Sequence, residues 1–243
     1  MIEKLEYTVF NEEEKKKNEL FHERYEKELY AIADEIFQQE QKRGEGKSAE
    51  VFRDTRENGA CYKVIRNIRE TLHNTDEESE FLNELVGIEH SVRVPEPIVS
   101  LSAYTVNEQE GKKIRKKEWI LMMEEIQGHS LKEILDSKGE ILLPKEFDQE
   151  RFFTHLEDFI QNYMHARGIF HRDLHEGNIM VDEATGEPVV IDFGLSMKKY
   201  LTDEDPYKTE PNSFGEVFTF KNDISQIALL KGKMAEYLTN YAK

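Results

Sequence analysis

The chain lacks most features of secreted, membrane-spanning and nucleic-acid-binding proteins. One cysteine, Cys61, stands among its 243 residues, so no disulfide can form within the chain and a reducing compartment is expected. No apolar run approaches the roughly 20 residues of a membrane span, and the first residues lack the basic and apolar regions of a signal peptide. We expect a soluble cytoplasmic protein; a secreted effector that acts in a host cytosol also fits.

Positive charge is scarce too. With 33 lysines and arginines against 50 aspartates and glutamates, the formal net charge is −17. Such a field repels polyanions, so we expect neither nucleic acid nor membrane among the partners. Basic residues are dense only at 112–117 (KKIRKK). Because this cluster falls between two strand-like runs, we expect a solvated hairpin turn, and a docking site is the alternative.

Hydrophobic patterning divides the chain into three parts. Residues 1–34 form a predicted helical extension, because apolar residues recur at helical spacing from Leu20 to Ile36. Residues 35–125 are strand-rich, with a glycine turn near 43–48 and a helix at about 76–88. Residues 126–243 are mainly helical, and Ser130 and Glu133 have the spacing of a capping box. The prediction is a two-lobed α+β protein.

The most informative stretch is residues 171–194, which reads HRDLHEGNIM at 171–180 and VVIDFG at 189–194. Asp173 and Asn178 are five residues apart, and Asp192 follows an apolar run. One base and two oxygen ligands for a metal ion are what transfer of a phosphoryl group from ATP to a hydroxyl needs. Hard oxygen ligands suit Mg²⁺, and the chain offers no cysteine and histidine spacing typical of zinc.

These motifs resemble the catalytic loop and the DFG segment of the protein kinase family. The resemblance implies the kinase fold, with a strand-rich N-lobe at 35–125 and a shortened helical C-lobe at 126–243. It implies Mg²⁺ and ATP as cofactors, with Asp173 as the base and Asn178 and Asp192 as the magnesium ligands. His171, Arg172, Gly194 and Asp223 take structural or regulatory roles by the same resemblance, Asp223 as the anchor of the catalytic loop.

Upstream residues resemble the nucleotide-binding half of the same family. Gly44, Gly46 and Val51 match the glycine-rich loop, where backbone without Cβ atoms approaches phosphate. Lys63 follows on a strand, and by the resemblance it contacts the ATP phosphates. Cys61 takes the place of the usual alanine against the adenine ring.

A glutamate on the following helix should pair with Lys63. At about 100° per residue, Glu78 shares a face with Phe81, Leu82 and Leu85, whereas Glu80 points away and Glu84 lies at the edge. We therefore choose Glu78. Thr75 and Glu78 also have capping-box spacing, so a purely structural role for Glu78 remains an alternative.

The adenine site is assigned by resemblance alone. The segment 119–128 (WILMMEEIQG) is similar to the strand and hinge that hold adenine. Met123 takes the gatekeeper place, and backbone groups of Glu124 and Ile126 are expected to face the purine.

Two departures from the family pattern bear on the acceptor, and one shared residue, Arg172, bears on regulation. His175 stands where Ser/Thr kinases usually carry lysine. The sequence of the loop around it is similar to that of aminoglycoside- and choline-kinase-like enzymes. No Ala-Pro-Glu motif follows Gly194, and by resemblance to compact bacterial effector kinases we expect a C-lobe without the last helices. Arg172 is able to pair with a phosphorylated activation segment, whose candidate hydroxyls include Tyr207, and an unregulated segment is the alternative.

The leading hypothesis is an Mg·ATP-dependent Ser/Thr protein kinase, able to phosphorylate itself, with a protein substrate. The first alternative is a small-molecule kinase, and the second is an ATP-binding interaction module that uses the kinase fold. The N-terminal helix is a candidate contact for a regulator.

Overall fold

The structure is a computed structural model that describes residues 2–40, 49–53, 59–65, 75–109, 112–199, 205–208 and 219–241. The chain forms two compact units. The first comprises residues 1–83 and 96–125, and the second comprises residues 84–95 and 126–243. The first unit is built on a sheet and the second contains most of the remaining helices, so the fold is α+β as expected. Gly44 and Gly46 of the predicted phosphate loop lie outside the described residues.

An antiparallel five-stranded sheet forms the centre of the first unit. Its strand order is β1-β4-β5-β3-β2. The strands are β1 (Ile2–Val9), β2 (Ala49–Arg53), β3 (Ala60–Ile65), β4 (Pro97–Gln109) and β5 (Lys112–Glu124). Long register runs along β4 and β5 fix which side chains face each side of the sheet, because side chains alternate along a strand.

Helix α1 (Glu12–Glu40) covers one face of this sheet. The side chain of Asn11 caps it by accepting the N–H groups of Glu13 and Glu14. A buried stripe at helical spacing, comprising Tyr25, Leu29, Ala33 and Ile36, packs in one cluster with alternate residues of the strands. The helix is kinked at Phe21 (φ −136°, ψ 40°). Leu20 and Phe21 are 74% and 61% exposed, so the apolar pattern that predicted the helix begins outside the core.

Three sequence-based expectations differ from the structure in this unit. The predicted helical extension over residues 1–34 contains a strand, since β1 pairs with β4 from Ile2 opposite Thr105 to Val9 opposite Val99. The helix also continues to Glu40, where strands were expected from Ile36 onward. The expected basic turn at 112–117 is the start of β5, because β4 supplies backbone partners for Lys112 to Lys117.

The second unit begins with a small sheet and capped helices. Strand β6 (Gly128–Ser130) leads into α3 (Leu131–Asp136). The predicted capping box is confirmed: Glu133 N–H donates to Ser130 Oγ, and the Glu133 carboxylate accepts the Ser130 N–H at 2.8 Å. The other elements of the second unit are α4 (Gln149–Asp158), β7 (Ile169–Phe170), β8 (Ile179–Asp182), β9 (Pro188–Val190), β10 (Met197–Lys198) and α5 (Asp223–Tyr241).

Helices α4 and α5 build the core of the second unit. After α4 the chain continues as a π-helical turn at Phe159–Met164 and a 3₁₀ turn at His165–Arg167. Helix α5 buries a stripe of one residue per turn, comprising Asp223, Ile227, Leu230, Met234 and Tyr237. Over the described ranges, no helix combines the length and apolarity that a bilayer crossing requires.

Candidate active site

Lys63 and Glu78 form a buried ion pair in the first unit. Lys63 Nζ lies 2.7 and 2.8 Å from the two carboxylate oxygens of Glu78, and the two residues are 2% and 1% exposed. A buried carboxylate needs a cation or hydrogen-bond donors to offset its lost hydration. Of the three candidate glutamates, the structure therefore pairs Glu78 with Lys63.

Helix α2 (Thr75–Leu85) positions Glu78 for this contact. Phe81, Leu82 and Leu85 are buried on the face that carries Glu78. Glu80 is exposed, and Glu84 pairs with Lys198 Nζ at 2.6 Å. The helical periodicity that selected Glu78 is thus the periodicity that the helix buries.

The predicted nucleotide residues of the sheet share one face. Val51 lies opposite Lys63 on the neighbouring strand, and Cys61 lies opposite Met123. Directly opposed residues of antiparallel strands project to the same side, and α1 packs on the other side. Val51 is 61% exposed, so its side chain is accessible on this face.

The backbone groups of the predicted hinge are partly used within the protein. Glu124 N–H donates to the Glu96 carbonyl at 2.9 Å, so this N–H is already used within the protein. The Cys61 thiol lies 3.7 Å from the Glu124 carbonyl oxygen. Burial, assisted by the charges of Glu125 and Glu124, raises the pKa of Cys61 to about 12. Ile126, the other predicted hinge residue, belongs to the second unit and is half-buried.

The predicted catalytic loop of the second unit runs from β7 to β8. Gly168 precedes β7 with φ +74°, and a Cβ there would lie 2.4 Å from the Lys199 carbonyl oxygen. Only glycine fits this close approach. Residues 171–178 then occupy the connection, with Asn178 N–H donating to the His175 carbonyl at 2.9 Å.

Asp223, at the first position of α5, holds the loop through its backbone. The two carboxylate oxygens accept the N–H groups of His171 and Arg172, each at 2.9 Å. His165 Nε2 lies 3.0 Å from one of them. Asp223 is fully buried, and Arg172 has φ +69°, a conformation that costs energy for a residue with a Cβ. The carboxylate compensates that cost by satisfying both amides.

Asp173 and Asn178 meet within this loop. Asn178 Nδ2 donates to the Asp173 carbonyl oxygen at 2.9 Å and lies 3.4 Å from Asp173 Oδ2. With its amide nitrogen used in this way, Asn178 keeps its Oδ1 oxygen for a ligand. The side chain of Asp173 is 32% exposed, so it is accessible to an acceptor.

Asp192 adopts a left-handed conformation, with φ +61°. Its Oδ1 accepts the N–H of Gly194 at 3.2 Å, which gives Gly194, itself buried, a part in orienting the carboxylate. Ile191 N–H donates to the Asn178 carbonyl at 3.0 Å, and the Ile191 carbonyl lies 3.1 Å from His171 Nε2. His171 therefore joins the catalytic loop to the segment that carries Asp192.

The donor set of this unit fits Mg²⁺. One carboxylate, from Asp192, and one amide oxygen, from Asn178, are hard ligands of the kind that magnesium prefers. Magnesium commonly takes only one or two protein ligands and completes its shell with phosphate oxygens and water.

Arg172 makes a contact that its sequence neighbourhood does not suggest. Its guanidinium carbon lies 3.6 Å from the centre of the Phe220 ring, within the range of cation–π attraction. Arg172 is buried, and its Nε has no hydrogen-bond partner among the described residues. Burial lowers the pKa of Arg172, and the charge of Asp223 opposes that shift. An aromatic ring thus occupies the guanidinium face.

Tyr207 and Phe220 are positioning residues that sequence reasoning missed. Phe220 N–H donates to the Tyr207 carbonyl at 2.7 Å, and Asp223 N–H donates to the Tyr207 hydroxyl at 3.3 Å. Burial, with help from the charge of Asp223, raises the pKa of Tyr207. Tyr207 was considered as a phosphate acceptor, yet it is buried. No local pattern marks either contact.

Comparison with known proteins identifies the family. A sequence model of the protein kinase domain matches residues 37–212, well over half of the chain. The chain belongs to the protein kinase domain family. The matched range leaves out β1, most of α1 and all of α5, and hence Asp223.

Individual relatives match over shorter ranges. The protein kinase YpkA of Yersinia pseudotuberculosis is 35% identical over 86 residues, 33% of this chain and 12% of YpkA. CBL-interacting protein kinase 31 of rice, Oryza sativa subsp. japonica, is 37% identical over 76 residues, 31% of this chain and 16% of that relative. CBL-interacting serine/threonine-protein kinase 16 of Arabidopsis thaliana is 36% identical over 81 residues, 33% of this chain and 16% of that relative. The matches span less than a fifth of these relatives' length.

Proposed function

We propose that this protein is an Mg·ATP-dependent kinase that transfers the γ-phosphoryl group of ATP to a serine or threonine hydroxyl of a protein. The arrangement of Asp173 and Asn178 carries the proposal. It holds one carboxylate partly exposed beside an amide oxygen suited to magnesium. The family and the names of all three relatives, each called a protein kinase, support the activity and the protein acceptor, and the name of one relative specifies serine/threonine.

Each residue has a distinct role in the proposed reaction. Asp173 orients the acceptor hydroxyl and accepts its proton while the hydroxyl oxygen bonds to the γ-phosphorus. The bond from the γ-phosphorus to the β,γ-bridging oxygen breaks, and its electron pair leaves with ADP. Asn178 and Asp192 hold magnesium, which neutralises charge on the phosphates when bound.

The first unit contributes to binding of the nucleotide. Lys63 is proposed to contact the α- and β-phosphates, with Glu78 fixing its ammonium group. The exposed Val51 and the Glu124 carbonyl are proposed to contact the adenosine part, together with Cys61, Met123 and Ile126. Gly44 and Gly46, outside the described residues, keep their proposed role at the phosphates.

Two further expectations belong to the same proposal. The cytoplasmic location follows from the single cysteine, which suits a reducing compartment. A regulator that binds the N-terminal helix would find two exposed apolar side chains, Leu20 and Phe21, at its kink.

Incubation of the full chain with labelled ATP, Mg²⁺ and generic protein acceptors tests the proposal. We expect label on serine or threonine of the acceptors or of the chain itself. Asp173→Asn should lower the rate by about 10²–10⁴-fold, the usual contribution of a general base. Asp136→Asn is the matched control, because Asp136 is an exposed residue that pairs with Lys132.

Other outcomes point to the alternatives. ATP consumption that aminoglycosides or choline stimulate and proteins do not would identify a small-molecule kinase. ATP binding without transfer to any acceptor would identify a binding module. Equal transfer by wild type and Asp173→Asn would overturn the role of Asp173.

A further inference from the structure

The ring of His175 is fixed in one tautomer by the catalytic loop. Its Nδ1 lies 2.9 Å from the backbone nitrogen of Gly177, whose N–H donates to it. A neutral imidazole nitrogen that accepts a hydrogen bond carries no proton, so the proton resides on Nε2. Nε2 lies 3.6 Å from Oδ2 of Asp173. The donor of the ring therefore faces the proposed catalytic base.

Gly177 provides the space that this ring occupies. A Cβ on residue 177 would lie 2.8 Å from His175 Cε1 and 3.1 Å from Nδ1. The backbone of Gly177 has no positive φ, so its conformation alone does not require glycine. The requirement comes from the imidazole, and an alanine at 177 would have to displace it.

The two carboxylate oxygens of Asp173 have different surroundings. Oδ2 has the Nε2 of His175 at 3.6 Å on one side and the Nδ2 of Asn178 at 3.4 Å on the other. Both distances are long for hydrogen bonds, as is common at catalytic groups before substrate binds. Oδ1 has no hydrogen-bond partner in the described part of the chain. One oxygen is thus approached by two donors, and the other by none among the described residues.

We infer that His175 is a positioning residue for Asp173 and that Gly177 acts through His175. The inference rests on the proposed function, in which Asp173 accepts the acceptor proton. Lysine, the usual residue at this place, has a flexible stem and a point charge. The imidazole instead accepts a hydrogen bond from the Gly177 N–H, which fixes the orientation of the ring. Its Nε2 then faces Oδ2 of Asp173 and leaves Oδ1 for the acceptor hydroxyl. A shift of about 1 Å in a reacting group can cost 10²-fold in rate.

A set of variants tests the coupling of the two residues. We expect His175→Ala and Gly177→Ala each to lower kcat by about 10–100-fold, with the KM for ATP changed less than threefold. The double variant should be no slower than His175→Ala, because the alanine at 177 acts only by moving the ring. His175→Lys should restore part of kcat, and Gly177→Ala should have no further effect in that background.

The matched control is Gly232→Ala. A Cβ at residue 232, on α5, meets nothing within 4 Å, so this change should leave kcat at the wild-type value. Thermal melting of every variant separates loss of rate from loss of folding. If the fold-loss of kcat in the double variant equals the product of the losses in the two single variants, the coupling between Gly177 and His175 is overturned.

A spectroscopic readout tests the ring without relying on activity. In ¹⁵N NMR of the histidine side chains, assigned by loss of one signal in His175→Ala, we expect a protonated Nε2 and a bare Nδ1 for His175. Gly177→Ala should change this signature. A protonated Nδ1 in the wild type, or a folded His175→Ala variant with wild-type kcat, would overturn the inference. If the wild type transfers no phosphate to any acceptor, the proposed function fails first and the positioning role fails with it.

Discussion

The two units solve the same problem, a fully buried carboxylate, in opposite ways. In the first unit Glu78 is paired with another side chain, Lys63. In the second, Asp223 accepts the backbone amides of His171 and Arg172 and also has a side-chain contact, with His165. Both carboxylates are almost inaccessible to solvent. A pair of side chains can be removed together, whereas backbone amides stay in the protein whatever residue replaces Asp223. The two sites should therefore differ most in whether a second mutation can rescue the first.

The largest effect is expected for Lys63→Met. This change leaves the Glu78 carboxylate buried without its cation, which typically costs about 3–5 kcal/mol of the free energy of unfolding. The double variant Lys63→Met, Glu78→Leu should recover most of that loss, because apolar residues can replace a buried ion pair. Urea unfolding followed by the fluorescence of Trp119, the one tryptophan, reports on the first unit.

Lys198→Met is the control for this experiment. Lys198 pairs with Glu84, and both side chains are about one-third exposed. Loss of such a surface pair should cost no more than about 1 kcal/mol. If the double variant is no more stable than Lys63→Met alone, apolar residues cannot replace the buried ion pair of the first unit, and the expected difference between the two units is absent.

Asp223→Asn should have the next largest effect. The isosteric amide keeps one acceptor oxygen but turns an NH₂ group toward a buried N–H, and an unsatisfied buried donor costs about 1–3 kcal/mol. Hydrogen exchange of the amides of His171 and Arg172 measures the loss directly. Glu236→Gln, an exposed change on the same helix, should leave exchange unaltered. If an apolar substitution at a neighbouring side chain restored the protection of these two amides in Asp223→Asn, the second unit would be open to rescue in the same way as the first.

A smaller effect is expected at Phe220, beside Arg172. Phe220→Leu removes the ring that faces the guanidinium while keeping an apolar side chain, and cation–π contacts contribute about 0.5–2 kcal/mol. Phe220→Tyr keeps the ring and should retain the wild-type melting temperature. Equal melting temperatures for Leu and Tyr at this position would show that the ring contributes packing alone.

At neutral pH the smallest effect concerns Cys61, because its thiol is protonated in both the folded and the unfolded state there, and its contribution to stability changes only at alkaline pH. The thiol pKa is raised from 9.0 to about 12 in the folded protein, so the unfolded chain loses this proton at lower pH than the folded protein does. The resulting stability is fully present below about pH 9 and is lost as pH rises toward 12.

Labelling by a thiol reagent at pH 8 measures the same shift. Native Cys61 should react about 10³-fold more slowly than a free cysteine, because each pKa unit removes tenfold of thiolate. Lys63→Met should accelerate labelling more than Asp223→Asn, since Cys61 and Lys63 lie on the same strand. The reverse order would show that the first unit does not open independently.

Residues close in sequence gave the predictions that the structure supports best. The five-residue spacing of Asp173 and Asn178 and the helical face of Glu78 are local features, and the geometry of each is seen in the structure. The fold class and the family followed from such segments too. The roles of Asp173, Asn178 and Glu78 with ATP and magnesium stay predictions until activity is measured.

Contacts between distant segments were beyond the reach of sequence patterns. The alternation of Leu5, Tyr7 and Val9 with polar residues is a strand signal that could have identified β1, but nothing in it names β4 as the partner. Phe220 reaches Arg172 across 48 positions of the chain, and no periodicity encodes such a contact. The basic charge of residues 112–117 favours exposure to solvent and therefore predicts a turn. An antiparallel strand pair, however, also tolerates charged side chains on its exposed face.

The pairing of β1 with β4 sets an order of events during synthesis. Val9 pairs with Val99, so at about 5–20 residues per second the ribosome needs roughly 5–20 s to supply the partner of the first strand. Through that interval α1 is complete while most of the sheet that covers Tyr25, Leu29, Ala33 and Ile36 is still being made. The nascent chain therefore presents an apolar helical stripe for seconds before it can be buried, and chaperones that bind such stripes would meet the protein there first.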